Sequence, residues 1–182
     1  MALSTREKLW FGLSLLLGLA LVVFQLIKSL KNPNQSNSQA RPQRNNNPFA
    51  LLQLNPSNWI GLAGKDDDGL LKFDTPLSGV RAGFINLYNR YFSQGLNSIN
   101  KIVPVYTGLK DWHGYAQNLS KITGLGLDQL ITRDQIKALG RGIERMEAGY
   151  NWVSSNDFDK GFNLATDYAS GGGSGGGGGG GF

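Results

Sequence analysis

An uncharged apolar run near the start of the chain places the strongest constraint on its fold. Leu9 to Ile27 reads LWFGLSLLLGLALVVFQLI and contains no charged residue in 19 positions. At a rise of ~1.5 Å per residue, a helix of this length reaches about 28 Å, close to the hydrocarbon thickness of a bilayer. The run therefore predicts a single transmembrane helix over residues 9–27, preceded by an N-terminal flank at 1–8.

Two other interpretations of the apolar run fit its surroundings less well. A cleaved signal peptide needs a small-residue cleavage site, but the run is followed by KSLKNPN. A buried helix of a soluble core is disfavoured because the run is apolar on all sides and adjoins a polar tract. Basic residues on both sides of the run leave the direction of the predicted span open.

The charge of the chain is concentrated in its first 47 residues. That segment holds six basic residues and one acid, whereas residues 48–182 hold twelve of each sign. A neutral domain argues against specific nucleic-acid binding, which needs clustered lysine and arginine. The chain has no cysteine and one histidine, His113. Thiol chemistry is therefore excluded, and we expect no metal site and no cofactor.

Polar and glycine-rich segments enclose the part of the chain that can form a core. Residues 28–47 are rich in Asn, Gln, Ser and Arg and are predicted to be a flexible linker. Residues 170–182 end in a glycine run and Phe182, which predicts a disordered tail or, alternatively, a tail that threads between subunits. A folded domain is predicted at 48–150, with a C-terminal extension at 151–169.

Four helices are predicted in this domain from apolar residues that recur every three or four positions. Their ends are marked by N-cap side chains, a proline stop or a following glycine. The predicted bounds run from the N-cap Thr75 to Gly95, from Ser98 to a stop at Pro104, from the N-cap Asp111 to Gly124, and from the capping box at Thr132 to Gly149. Turn residues between 48 and 74 predict loops and a small hairpin, with Leu70 to Phe73 as one strand. The predicted fold class is mainly α with a minor β element, preceded by the transmembrane helix.

Short motifs in the domain form an ordered series. They are N-P-F-A-L-L at 47–52, Trp59 with Gly61, Gly69-Leu70-Leu71-Lys72-Phe73-Asp74, Pro76 with Gly79, Arg81 and Ala82, Ser98 to Val103, Tyr115, Thr123-Gly124-Leu125 and Glu147-Ala148-Gly149. Over residues 47–149 this series resembles a family of phage virion structural proteins. That family is itself similar to lysozyme-like glucosaminidases and to lytic transglycosylases. The resemblance implies a small, lysozyme-like helical domain.

Glycoside hydrolysis by such a domain needs a carboxylic acid in an apolar setting, which protonates the leaving oxygen. The resemblance implies a glutamate that closes a helix just before an Asn-Leu-Phe motif, and the matching position here falls in Gln43–Asn46. No glutamate occurs between Glu7 and Glu144. Lys72 also replaces the glutamine of the Gly-Leu-x-Gln strand of the transglycosylases. We therefore predict that the domain is inactive.

If the domain is a hydrolase, its candidate catalytic acids are Asp66, Asp67 and Asp68 in the turn after Lys65. The alternative interpretation of these residues is a solvated acidic turn or a loose cation site. Glu144 and Glu147 are weaker candidates, and the alternative for them is pairing with Arg141 or Arg145 along one helix.

Three aromatic residues, Trp59, Trp112 and Tyr115, are candidate glycan-binding residues, because sugars stack on aromatic faces. Core packing is the alternative for all three. His113 is interpreted as a helix-surface residue, since no nucleophile-elbow motif accompanies it.

Taken together, the sequence predicts a membrane-anchored phage virion structural protein with an inactive lysozyme-like domain. It would act in membrane–capsid organisation or in penetration of the host envelope. Its expected partners are the lipid bilayer, other virion proteins such as a capsid protein, and peptidoglycan, and its expected location is the virion membrane or the host inner membrane. An active peptidoglycan hydrolase or transglycosylase and a bacterial inner-membrane glycan-binding protein are the alternatives.

Overall fold

A two-stranded antiparallel hairpin lies between the short first helix and the longer helices of the folded part of the chain. The computed structural model describes residues 39–52 and 59–169. The chain divides into two units, Met1–Gln39 and Ala40–Phe182, and every element described here lies in the second. The hairpin joins β1 (Leu62–Lys65) to β2 (Leu71–Phe73), with Leu62 opposite Phe73 and Lys65 opposite Leu71. Its register shifts between Leu62 and Gly64.

Six helices make up most of the described fold. They are α1 (Arg41–Arg44), α2 (Pro76–Asn86), α3 (Ile99–Thr107), α4 (His113–Thr123), α5 (Arg133–Ala148) and α6 (Ser155–Ala169). After Asn86 the backbone continues through a π-helical turn and a 3₁₀ turn, and the left-handed Gly95 ends this extension. The predicted mainly α fold with a minor β element agrees with this architecture.

Local capping determines where several of these helices begin and end. Thr75 accepts a hydrogen bond from the Ser78 backbone N–H at 3.2 Å, and Pro76 occupies the first turn of α2. At α5 the side chain of Gln135 accepts from the Thr132 backbone N–H at 3.0 Å, as the capping box predicts. Gly149 follows α5 with φ +83°, a conformation that favours glycine.

The core is built around Phe84 of α2. Its ring makes edge-to-face contacts with Phe49, Phe158 and Phe162, at centroid distances of 5.2, 5.5 and 4.8 Å. Gly140 of α5 lies directly against the Phe84 ring, so a β-carbon there would overlap it. The core therefore joins α2, α5 and α6 to the segment that follows α1.

That segment, residues 45–51, runs beside β2 without being a regular strand. Asn47 is fully buried, and its side chain bonds the backbone at both Leu51 and Leu71, with three distances of 2.9 Å. The Phe73 N–H donates to the Asn45 carbonyl, also at 2.9 Å. These bonds satisfy backbone groups that burial would otherwise leave unpaired.

One part of the predicted fold class, the membrane-spanning helix, needs correction. Within residues 39–52 and 59–169, no helix combines the length and apolarity needed to cross a bilayer. The predicted span at 9–27 lies outside the described residues, as do residues 28–38 of the predicted linker and the tail at 170–182. The fold that the structure supports is a helical domain with a two-stranded sheet.

Three further differences concern element boundaries. The folded part begins before residue 48, because α1 and the buried Pro42 lie within the predicted linker. The helix α3 continues through Pro104 to Thr107, since its buried face of Ile99, Ile102 and Val103 offsets the backbone hydrogen bond that proline removes. The residue at the N-cap of α4 is Trp112 and not Asp111, and it makes no side-chain capping bond.

The predicted C-terminal extension contains α6, which packs along α2. Gly161 of α6 lies against Val80, and Phe158 and Ala165 are fully buried. The helix therefore belongs to the same core as the four predicted helices.

Candidate functional site

Asp66 opens the turn of the β1–β2 hairpin and is held by side chains at α1. Its Oδ1 accepts from the backbone N–H groups of Leu70 at 2.8 Å and Asp68 at 3.2 Å. Arg41 donates to both carboxylate oxygens, from Nε and Nη2, at 2.6 Å each. Asn45 donates to Oδ2 at 2.6 Å. We call Arg41, Asn45 and Asp66 the hairpin clasp, because they tie α1 to the turn.

The electrostatics of the hairpin clasp favour a structural role for Asp66. The Arg41 hydrogen bonds, supported by those from Asn45 and Leu70, hold the pKa of Asp66 well below its ordinary value against the opposing effect of desolvation. Asp66 is therefore ionised near neutral pH and has no proton to donate. Asp67 and Asp68 are exposed, with Asp68 3.3 Å from the Arg41 guanidinium. The catalytic assignment of the three aspartates stays a prediction, and Asp66 lies in an environment opposite to that of a general acid.

The three candidate glycan-binding aromatics occupy different surroundings. Trp59 precedes β1 and packs against the core. Trp112 stacks on His113 with ring centroids 4.1 Å apart, and Tyr115 lies 6.1 Å from the Tyr106 ring. No ring contact within the described residues joins Trp59, Trp112 and Tyr115 to one another. Their role in glycan binding stays a prediction, and their packing against the core agrees with the alternative.

Glu144 is a fully buried carboxylate on α5. Its Oε1 accepts from the backbone N–H groups of Trp152 at 2.8 Å and Val153 at 2.7 Å. Its Oε2 accepts from Arg141 and Asn151, both at 2.9 Å. The predicted pairing with Arg141 is thus present, and the three bonds from residues 151–153 fasten the chain after α5 to the helix. A carboxylate with every acceptor occupied by protein donors is a structural element.

Glu147, one turn later, has a different environment. Its Oε1 lies 2.7 Å from the Tyr115 hydroxyl on α4 and 3.4 Å from the Tyr106 hydroxyl on α3. Burial raises the pKa of Glu147, and the hydrogen bond from Tyr115 opposes that rise. We call Tyr106, Tyr115 and Glu147 the tyrosine–glutamate cluster.

Gln43 lies on α1, four residues before Asn47-Pro48-Phe49. Its side-chain oxygen accepts a hydrogen bond from the Tyr150 hydroxyl at 2.7 Å, across 107 residues of sequence. An amide at this position can accept and donate hydrogen bonds, but it has no acidic proton to transfer to a leaving group. Tyr150 is half exposed, so this contact lies at the surface.

Sequence reasoning missed the tyrosine–glutamate cluster and the Gln43–Tyr150 contact. Each joins residues more than 30 positions apart in the chain, and no local motif marks such a meeting. Only the spacing of Glu144 and Glu147 along α5 drew attention to these acids. In the part of the chain that the structure describes, no group of three His, Asp or Glu side chains is arranged to hold a metal ion.

Comparison with known proteins supports a phage origin. No protein-family model matches the chain. It is 30% identical over 135 residues to Protein P5 of Pseudoalteromonas phage PM2, a match that covers 71% of this chain and 84% of that protein. Identity at this level, over most of both proteins, confirms the phage part of the predicted resemblance. The chain belongs to the family of phage protein P5.

Proposed function

We propose that this chain is a structural component of a phage virion, built on a lysozyme-like domain that does not hydrolyse peptidoglycan. Membership of the P5 family supports the phage assignment. Under this proposal its partners are other virion proteins, such as a capsid protein. In this role the folded domain binds those proteins and has a structural function only.

The proposal that the domain does not hydrolyse peptidoglycan is supported by the side chains at α1, which include no proton donor for catalysis. In the hydrolases that the domain resembles, a glutamate closes the helix before the Asn-Leu-Phe motif. Here α1 precedes Asn47-Pro48-Phe49 and carries Gln43, whose amide is hydrogen-bonded to Tyr150 at 2.7 Å. The nearby carboxyl of Asp66 is bound by Arg41 and Asn45. Neither group can supply a proton to a glycosidic oxygen.

A peptidoglycan digestion assay tests this proposal. The purified full chain, shown to be folded by circular dichroism, is incubated with purified peptidoglycan, and released fragments are analysed by mass spectrometry. A lysozyme is the positive control, and heat-denatured chain is the blank. We expect no release above the blank.

Release of glycan fragments by the folded chain would contradict the non-hydrolytic assignment and favour the alternative, an active hydrolase. The variant with Asp66, Asp67 and Asp68 all changed to Asn then locates the acid. Loss of release from a variant that still folds assigns it to the turn, whereas retained release directs the search to Glu147.

A further inference from the structure

Three helices meet at the tyrosine–glutamate cluster, which the proposed function does not use. Glu147 lies in the last turn of α5, Tyr115 lies on α4 and Tyr106 lies on α3. The Tyr106 hydroxyl is also 2.6 Å from the carbonyl oxygen of Phe49. Phe49 is a core residue in the segment after α1. The cluster thus links three helices to that segment through adjoining polar contacts.

The number of hydrogen atoms available for hydrogen bonds determines whether a protonated or an ionised Glu147 fits the cluster. A tyrosine hydroxyl carries one hydrogen, and a carbonyl oxygen can only accept. The hydrogen of Tyr106 therefore points to Phe49, and its lone pairs face Glu147 Oε1 at 3.4 Å. If Glu147 is ionised, its Oε1 and the Tyr106 oxygen are both acceptors, so no hydrogen bond joins them. A protonated Glu147 can donate to Tyr106 while it accepts from Tyr115.

No positive charge of the described residues forms an ion pair that would favour the ionised form. Within the described residues, no ion pair includes Glu147. The titratable groups that face it from α3 and α4 are Tyr106 and Tyr115. Behind them, Tyr91 packs on Tyr106 with ring centroids 6.4 Å apart. Burial raises the pKa of Tyr91, Tyr106 and Tyr115 as well, so all three stay neutral around the carboxyl.

We propose that Glu147 is protonated in the folded chain and in that form stabilises the junction of α3, α4 and α5. Loss of its proton weakens that junction. A carboxyl group whose pKa is higher in the folded than in the unfolded state contributes stability that is fully present below the unfolded pKa. That contribution is lost as the pH rises through the folded pKa. The junction therefore weakens from acid towards higher pH.

The Glu147→Gln variant tests this proposal, because glutamine has the shape of the protonated acid and cannot ionise. The unfolding equilibrium of the full chain is measured by urea denaturation at several pH values for wild type, Glu147→Gln and Asp167→Asn. The last is a control at an exposed carboxylate of α6. Between the unfolded and folded pKa values of Glu147, the unfolding constant of wild type should rise about tenfold per pH unit relative to the glutamine variant. The Asp167 control should follow wild type.

A second measurement keeps the proposal testable if a variant folds poorly. The ¹³C carboxyl signal of Glu147 in the wild-type chain is followed by NMR, and it should titrate above the ordinary glutamate range near pH ~4.3. Tyr106→Phe removes the facing lone pairs and should move this titration to lower pH. A Glu147 that titrates at or below the ordinary value, or a glutamine variant that parallels wild type at every pH, overturns the proposal.

Discussion

Replacing Glu144 with glutamine is expected to destabilise the fold strongly, although the two side chains have almost the same shape. Each oxygen of Glu144 accepts two hydrogen bonds, Oε1 from backbone N–H groups and Oε2 from Arg141 and Asn151. In glutamine one of these oxygens becomes an NH₂ group. In either orientation that group faces two donors, so two hydrogen bonds are lost and Arg141 loses its counter-charge.

The structure sets the size of this effect. Hydrogen bonds to a charged group contribute about 1.5–3 kcal/mol each, and removal of one partner of a buried ion pair costs about 3–5 kcal/mol. We therefore expect the free energy of unfolding of Glu144→Gln to fall by about 3–5 kcal/mol. For a chain of this size each kcal/mol moves the melting temperature by roughly 2–4 °C.

Urea denaturation of the full chain measures this loss, and Asp159→Asn provides the matched control. Asp159 pairs with Lys137 at 2.7 Å, but both side chains are more than 40% exposed. A surface pair of this kind contributes about 0–1 kcal/mol. A loss in Glu144→Gln no larger than that of the control would refute the reasoning from burial and acceptor count.

The remaining predictions concern the hairpin clasp and the core. The hydrogen bonds from Arg41 lower the folded pKa of Asp66, so its stabilisation is present above an unfolded pKa of ~3.9 and is lost as the pH falls below it. As the pH is lowered from about 5 to about 2, the free energy of unfolding of Asp66→Asn should therefore fall less than that of wild type. An equal fall in both proteins would contradict the stabilising role assigned to the hairpin clasp. Gly83→Ala should cost about 1–3 kcal/mol in urea denaturation, because its new β-carbon would overlap the Phe49 ring. Gly114→Ala on α4, where a β-carbon meets nothing within 4 Å, should be neutral or stabilising by up to about 1 kcal/mol, and equal effects at both glycines would count against the packing argument.

Features set by a few neighbouring residues were predictable from the sequence. The cap at Thr75, the capping box at Thr132 and the turn after Asp66 each depend on side chains within four residues of one another. Such contacts depend little on distant residues, so their sequence signals identified them, whereas the cap signal at Asp111 and the stop signal at Pro104 were overridden. The mainly helical fold class with a small hairpin followed from them.

Features set by distant residues were not predictable. Proline and asparagine around α1 indicated a linker, but Asn47 is buried because backbone groups of Leu51 and Leu71 accept from its side chain. Phe158 of α6 is recognisable as a core residue only once Phe84 lies against it. In the candidate site, the two tyrosines that meet Glu147 lie 32 and 41 residues before it. Pairings over such separations are settled by the packing of whole helices, which a single sequence does not display.

The central claim is that the chain is a structural component of the phage particle. Its most direct test is quantitative mass spectrometry of gradient-purified particles of the phage that encodes it, with the major capsid protein as internal reference. We predict that the chain is present at a fixed ratio to the capsid protein, and that the ratio stays constant through successive purification steps. Absence of the chain from purified particles, or a ratio that falls towards zero with each step, would contradict the account.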